Sequence, residues 1–263
     1  MNVFIITAHP DPMSLTHSLC REATEQLNRD GHEVRISDLY ALNWKSAVDR
    51  DDFPALTSSE RLRVGVASGQ AFETGTLTAD VISEQEKLLW ADAVILAFPL
   101  WWFSFPAILK GWIDRTLSYG FGYGRGEHSD TRWGDRYGEG MMAGKRAMLM
   151  VMLGGWEPHY GPRGVNGPVE DILFPMNHGV LFYPGFTVLP SFVVYRSDKI
   201  DEERYQLTAE SLRERMRGLF NDQPIPYRQQ NGGDYLIPSM QLRPDLNPGV
   251  TGFAAHLKGS NES

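Results

Sequence analysis

Ala93-Val94-Ile95-Leu96-Ala97-Phe98-Pro99-Leu100-Trp101-Trp102-Phe103-Ser104-Phe105-Pro106 is the stretch on which the reading of the fold turns. Ala93 to Phe98 form an unbroken apolar run of strand length, and Pro99, which cannot donate to a sheet ladder, stops it. Pro106 is suited to open a helix, and Ile108, Leu109, Trp112 and Ile113 recur on one helical face after it. Strand and helix are thus joined by a short segment carrying four aromatics, Trp101, Trp102, Phe103 and Phe105, between two prolines.

The same alternation extends to both sides. Val3 to Ala8 is apolar almost throughout, as a centrally buried parallel strand requires. Ser14 can cap a helix running to about Arg29, and Gly31 ends it. Val34-Arg35-Ile36 gives a second strand, Thr78 caps a helix to about Trp90, and Ala147 to Met152 gives a fourth strand. A fifth strand is expected within Phe186 to Tyr195, and a last helix over Glu202 to Phe220. Residues 43 to 77 show no clear period. The pattern is that of an α/β domain with a parallel sheet covered by helices on both faces.

Composition narrows the function classes. With 33 acidic against 25 basic residues, net charge -8, the chain offers no electrostatic footprint for a phosphate backbone or an anionic membrane. No basic leader or membrane-length apolar run is present, so a cytoplasmic protein with no membrane insertion and no nucleic-acid partner is expected. Cys20 is the single cysteine, which excludes an intrachain disulfide and a cysteine-based zinc cluster. His9, Asp11 and His17 have a spacing that could tempt a metal assignment, but helix capping accounts for that segment and no metal is expected. Asn261-Glu262-Ser263 has glycosylation spacing and is set aside for want of an export signal.

Ligands of open α/β sheets bind beyond the carboxyl ends of the strands. Three such ends are unusual here. His9-Pro10-Asp11-Pro12-Met13-Ser14-Leu15-Thr16 places hydroxyls at a helix start, where exposed N–H groups suit a phosphate, or simply caps that helix. Pro99 to Pro106 gives a flat aromatic wall, fit for a planar heterocycle or for a core or dimer contact. Leu153-Gly154-Gly155, followed by Trp156 and Tyr160, gives a backbone shelf or a mere tight turn. Together they supply the three parts that a flavin nucleotide needs. The long glycine-rich connection Tyr119 to Gly144, with Phe121, Tyr123, Trp133 and Tyr137, is expected to be functional. Within it Gly138-Glu139-Gly140-Met141-Met142-Ala143 spells a dinucleotide fingerprint, but it precedes a strand instead of following one.

Phe98 to Arg115 resembles the signature of the NAD(P)H:quinone oxidoreductases, the DT-diaphorase branch of the flavodoxin-like family, as do Ser37 to Asn43, Gly154-Gly155, Gly185 to Leu189 and Phe253 to Gly259. The resemblance implies a flavodoxin-like, doubly wound five-stranded parallel sheet of order 2-1-3-4-5. Residues 1–220 would form the catalytic domain, and 221–263 an extension packing on it or on a dimer partner. It further implies FAD in preference to FMN, NAD(P)H as co-substrate, a small aromatic electron acceptor, and a homodimer with active sites at the subunit interface.

Carried over by position, His9, Ser14, Leu15 and Thr16 would hold pyrophosphate. Pro99, Leu100, Trp101, Trp102 and Phe103 would line the isoalloxazine, with Leu153, Gly154, Gly155 and Tyr160 at its carbonyl edge and Arg204 near the adenosine. Tyr123, Arg125, Trp102, Phe103 and His178 would form the substrate pocket, and Gly155, Tyr160, Asn166 and His159 would act in catalysis. Three departures are plain. Asn166 stands where members of the family place a histidine, and an amide cannot carry a proton at neutral pH; His159 is the alternative carrier or a solvent-facing imidazole. Arg125 replaces a second pocket tyrosine, which implies a more polar or anionic acceptor. Phe182 replaces the second histidine of the metal set found in one branch. The rival expectations are a redox-sensing regulatory flavoprotein that binds a partner such as a potassium efflux channel, and a one-electron carrier.

Overall fold

In a computed structural model, which describes residues 1–57 and 59–259, the sheet is built from β1 (Asn2–Thr7), β2 (Glu33–Asp38), β3 (Ala93–Pro99), β4 (Arg146–Met152), β5 (Thr187–Val188) and β6 (Phe192–Val194). The order is β2-β1-β3-β4-β5, all parallel, with β6 also paired to β4. The helices are α1 (Leu15–Arg29), α2 (Val64–Thr74), α3 (Ala79–Trp90), α4 (Ala107–Thr116), α5 (Val169–Met176) and α6 (Glu202–Arg217). The triplet Asn261-Glu262-Ser263 lies outside the described residues.

Alternation along each strand divides one core into two. Phe4, Ile6, Val94, Leu96, Phe98, Leu149 and Val151 face the layer that holds Val81 and Leu88 of α3 and Leu109 and Trp112 of α4. Val3, Ile5, Ile95, Ala97, Met148 and Met150 face Leu19, Ala23 and Leu27 of α1 and Leu212 and Met216 of α6. Burying each of the larger side chains contributes roughly 1.5–3 kcal/mol. The apolar runs therefore read as two-sided strands because both faces are covered.

The fifth sheet position is occupied by a broken strand. β5 pairs with Arg146 and Ala147, β6 with Met150 to Met152, and Leu189-Pro190-Ser191 interrupts them. Pro190 has no N–H to continue the ladder. The last helix stops at Arg217, three residues short of the sequence expectation.

Residues 43 to 77, without a legible period, hold a polar staple and a helix. Asp52 is buried and accepts from Arg115 Nε at 2.9 Å, and Lys45 Nζ lies 3.2 Å away. Arg115 also donates to the Lys45 carbonyl at 3.2 Å, reaches Asp80 at 2.7 Å and stacks 4.6 Å from the Trp44 ring. Charge pairing, not amphipathic periodicity, ties this segment to α4. Asp52→Ala would take one of two carboxylates from the buried Arg115 guanidinium, leaving Asp80, and is expected to cost about 1.5–3 kcal/mol in urea unfolding; a loss below ~1 kcal/mol would place the pair with ordinary surface ion pairs.

Beyond α6 the extension carries a two-stranded antiparallel ladder, β7 (Tyr235–Leu236) with β8 (Gln241–Leu242). Asn231 fastens it to the long loop, accepting from the Trp133 N–H at 3.1 Å and donating to the Gly134 carbonyl at 2.8 Å and to Glu139 at 2.6 Å.

Candidate functional site

Register sets where the strand ends emerge. Thr7 pairs with Ala97 and Pro99 with Met152, so the segments after β1, β3 and β4 leave one edge of the sheet side by side. The Ala8 N–H continues to the Ala97 carbonyl and Leu100 to the Met152 carbonyl before the chains diverge.

After β1, Asp11 accepts from the Met13 N–H through its side chain at 2.9 Å and from the Ser14 N–H through its carbonyl at 3.1 Å. Ser14 Oγ caps α1 by accepting from the His17 N–H at 3.3 Å. The Leu15 and Thr16 N–H groups have no acceptor among the described residues, the ordinary state of a first helical turn. They lie at the positive end of a 15-residue helix, a donor set that fits a phosphate. His9 Nδ1 accepts from the Asp11 N–H at 3.1 Å, and His17 Nε2 donates to the His9 carbonyl at 3.1 Å. His17 is a part of this turn that capping rules alone did not bring forward.

After β3 the chain makes a two-residue reversal. Trp101 and Ser104 exchange backbone hydrogen bonds at 3.2 and 3.0 Å, and the residues between them, Trp102 and Phe103, have φ of 52° and 58°. Two consecutive left-handed residues are the requirement of a type I′ turn, which favours Asn-Gly; a tryptophan and a phenylalanine there cost of order 1–3 kcal/mol each. Trp102 is also 94% exposed. An aromatic pair both strained and bare to solvent serves no core, and a planar ligand would cover it. The His9 ring lies 6.2 Å from that of Trp101, which joins the first end to the second.

After β4, Leu153 donates to the Val194 carbonyl at 2.8 Å and Arg196 to the Gly155 carbonyl at 2.9 Å. A Cβ on Gly154 would meet nothing closer than Asp198 Oδ1 at 3.9 Å, whereas one on Gly155 would meet the Tyr160 ring at 2.7 Å and its hydroxyl oxygen at 2.9 Å. Gly154 is thus open, and Gly155 is a glycine because Tyr160 lies against it. His159, next to Tyr160, is exposed; Asn166 is half-buried and donates its backbone N–H to the His159 carbonyl at 3.0 Å, so the two share one turn. A Trp156 to Arg196 stack, 4.2 Å from guanidinium to ring centroid, flanks the shelf, and neither residue's role was legible from its type.

Arg204 is engaged locally, donating to the Lys199 carbonyl at 3.1 Å and the Tyr195 carbonyl at 3.0 Å, so it fixes the loop after β6. The expected substrate-pocket residues divide into three places within one chain. Trp102 and Phe103 stand at the strand ends. Tyr123 and Arg125 line a cleft of about 700 Å³ with Gly65 and Gly69 of α2 and with Tyr119, whose ring lies 5.3 Å from Tyr123. A Cβ on Gly69 would sit 2.6 Å from the Tyr119 ring, so the glycine face of α2 is what admits that tyrosine. His178 lines a separate cavity of about 420 Å³ under the extension. Its imidazole is pushed down to about 4 by burial and, secondarily, by His256.

A strained aromatic wall, an open glycine shelf and a pair of unused helix-start amides on one edge fit a nucleotide that ends in a planar ring. Residues 1–216 match the sequence profile of a family described as having the flavodoxin-like fold. The chain belongs to that family. It is 54% identical over 264 residues to a ribosyldihydronicotinamide dehydrogenase-like protein of Penicillium crustosum, covering 100% of this chain and 98% of that one. The NAD(P)H dehydrogenase (quinone) 1 of Rattus norvegicus is 34% identical, with 92% of this chain and 82% of the relative covered. The structure of a candidate quinone reductase from Klebsiella pneumoniae superposes with TM-score 0.96 at 57% identity, over 98% of this chain and 99% of that one. That coverage takes in the long loop and the extension, which lies beyond the 216 residues of the family profile. Among the described residues, no helix is long and apolar enough to cross a membrane.

Proposed function

We propose that this flavodoxin-like chain is a cytoplasmic, homodimeric quinone reductase that holds FAD in preference to FMN and works by alternating turnover. The observation that carries the reading is the Trp102–Phe103 turn, strained and exposed, beside the open Gly154. A relative named as a quinone dehydrogenase and a solved structure named as a candidate quinone reductase, each matched over more than nine-tenths of this chain, support it. Bound there, a flavin supplies hydride chemistry between a dihydronicotinamide and a quinone-like acceptor.

The protein's part is to bind, orient and stabilise charge. Leu15 and Thr16 amides, with Ser14 and His9 beside them, hold pyrophosphate at the start of α1. Trp101, Trp102 and Phe103, with Pro99 and Leu100 behind them, hold the ring in plane. The Gly155 N–H and the Tyr160 hydroxyl stand ready as donors where negative charge develops on the carbonyl edge, in the manner of an oxyanion hole. Asn166 orients without titrating, and the exposed His159 carries the proton. Tyr123 gates the acceptor and Arg125 favours a polar or anionic one. Arg204 acts on the adenosine half through the loop it holds. The relatives' names differ in the hydride donor, NAD(P)H in one and a ribosyldihydronicotinamide in another, so both belong in the assay.

The test is direct. The purified protein should be yellow, release FAD on denaturation, and bleach in one two-electron step with a dihydronicotinamide under anaerobic conditions. A colourless protein that takes up neither FAD nor FMN refutes the proposal; a stable semiquinone would assign it to one-electron carriers. Tyr160→Phe should retain flavin while slowing reduction by the dihydronicotinamide about 10- to 100-fold in stopped flow; an unchanged rate removes Tyr160 from the chemistry.

A further inference from the structure

The cavity of about 420 Å³ under the C-terminal extension has a construction of its own. None of the residues placed above at the strand ends lines it. One wall is a continuous pile of rings. Phe253 stacks on Phe174 at 4.3 Å and 12°, Phe174 on His178 at 4.6 Å and 16°, and His178 on Tyr137 at 4.7 Å and 29°. His178 is carried on a π-helical turn, Asn177–Phe182, an arrangement that is costly and recurs at functional sites. Rings stacked in this way cover one another's faces and turn their edges to the cavity, a surface on which a planar aromatic molecule packs edge to face.

The polar groups around it have one sign. Arg136 and Arg228 both line the cavity, and among the described residues no carboxylate does. Arg228 is 1% exposed and donates to Asp234 at 2.8 Å, so its charge is largely matched. Arg136 differs. Its Nη2 has only a 3.4 Å bond to the Trp133 carbonyl, its Nε is buried without an acceptor, and it makes no ion pair among the described residues. The neighbouring acids, Asp135 and Glu139, are taken by Arg132. Arg136 lines the cavity and its guanidinium is engaged by no carboxylate among the described residues, so its outer nitrogens keep donors for an anion there. The two imidazoles that line the cavity are His178 and His256. Burial lowers the protonation of both, and the Tyr235 hydroxyl bonds His256 Nδ1 at 2.8 Å. No group of three metal-ligating side chains occurs among the described residues, and the two guanidiniums that line the cavity disfavour a cation.

We propose that this cavity binds a planar aromatic carboxylate, its ring against the Phe253–Phe174–His178–Tyr137 stack and its carboxylate on Arg136. A volume of about 420 Å³ suits one or two fused rings. The proposal does not rest on the flavin reading, since no strand-end residue contributes to the cavity.

Isothermal titration of the purified full-length protein with 2-naphthoate and with neutral 2-naphthol tests it. The carboxylate should bind once per chain and at least tenfold more tightly than the alcohol. Arg136→Met, verified by an unchanged Tm, should bring the two ligands to the same affinity, and Arg136→Lys should keep part of the difference. Phe253→Ala should weaken both ligands at least fivefold. Equal wild-type affinities, a carboxylate preference that survives Arg136→Met, or binding indifferent to Phe253→Ala would each overturn the assignment.

Discussion

Gly111→Ala is expected to destabilise the protein by about 3 kcal/mol or more, a large fraction of the stability of an ordinary domain. A Cβ on Gly111 would sit 2.0 Å from the Ser46 carbonyl oxygen and 2.5 Å from its Cα. Both are backbone atoms in a segment pinned by the Lys45 carbonyl to Arg115 and by Asp52, so no flexible side-chain end can move aside. Helix propensity alone gives the opposite sign, because alanine is favoured over glycine by about 1 kcal/mol inside a helix. Thermal and urea unfolding therefore discriminate sharply. A variant as stable as the parent, or more so, would mean that residues 44–53 do not lie against α4 in solution.

Gly154→Val is expected to do the reverse, sparing the fold and removing the cofactor. Its Cβ meets only Asp198 Oδ1, at 3.9 Å, so the apoprotein should unfold within about 0.5 kcal/mol of wild type. The added methyls would occupy the open space over the shelf, against which the proposed flavin ring lies. Flavin affinity should fall at least 100-fold, read by loss of colour on purification and by reconstitution titration. Gly154→Val retaining flavin at wild-type affinity would detach the shelf from the ligand, whatever the Trp102–Phe103 turn does. A misfolded variant would be recognised by its far-UV spectrum and would contradict the open space on which the expectation is based.

The place of the candidate site was legible because unusual residue types mark the strand ends. Pro99, the aromatics after it and the paired glycines Gly154 and Gly155 stand where the sheet runs out, and the register brings them to one edge as expected. α2 was not legible. Its buried face is Ala67, Ser68 and Ala71, too small and too polar to give an apolar period, though Gly75 in the left-handed conformation at its end is a usable stop signal. With α2 unread, the cleft it makes with Tyr119, Tyr123 and Arg125 was invisible too. Arg204 was assigned by its position in the sequence, and the direction its guanidinium takes, onto the Tyr195 and Lys199 carbonyls, is a matter of tertiary geometry.

The sequence by itself determined the strands, the helices and their layering, because apolar runs, prolines and glycines act locally and leave the backbone few alternatives, whereas the strand order was expected from the family resemblance alone. Only the tertiary structure decided which polar groups are satisfied and by whom. Asp52 finds Arg115 across 63 positions, Asn231 finds Gly134 across 97, and Arg136 finds no acid among the described residues. Such pairings depend on distances between segments remote in the chain, which no local pattern of residue types encodes.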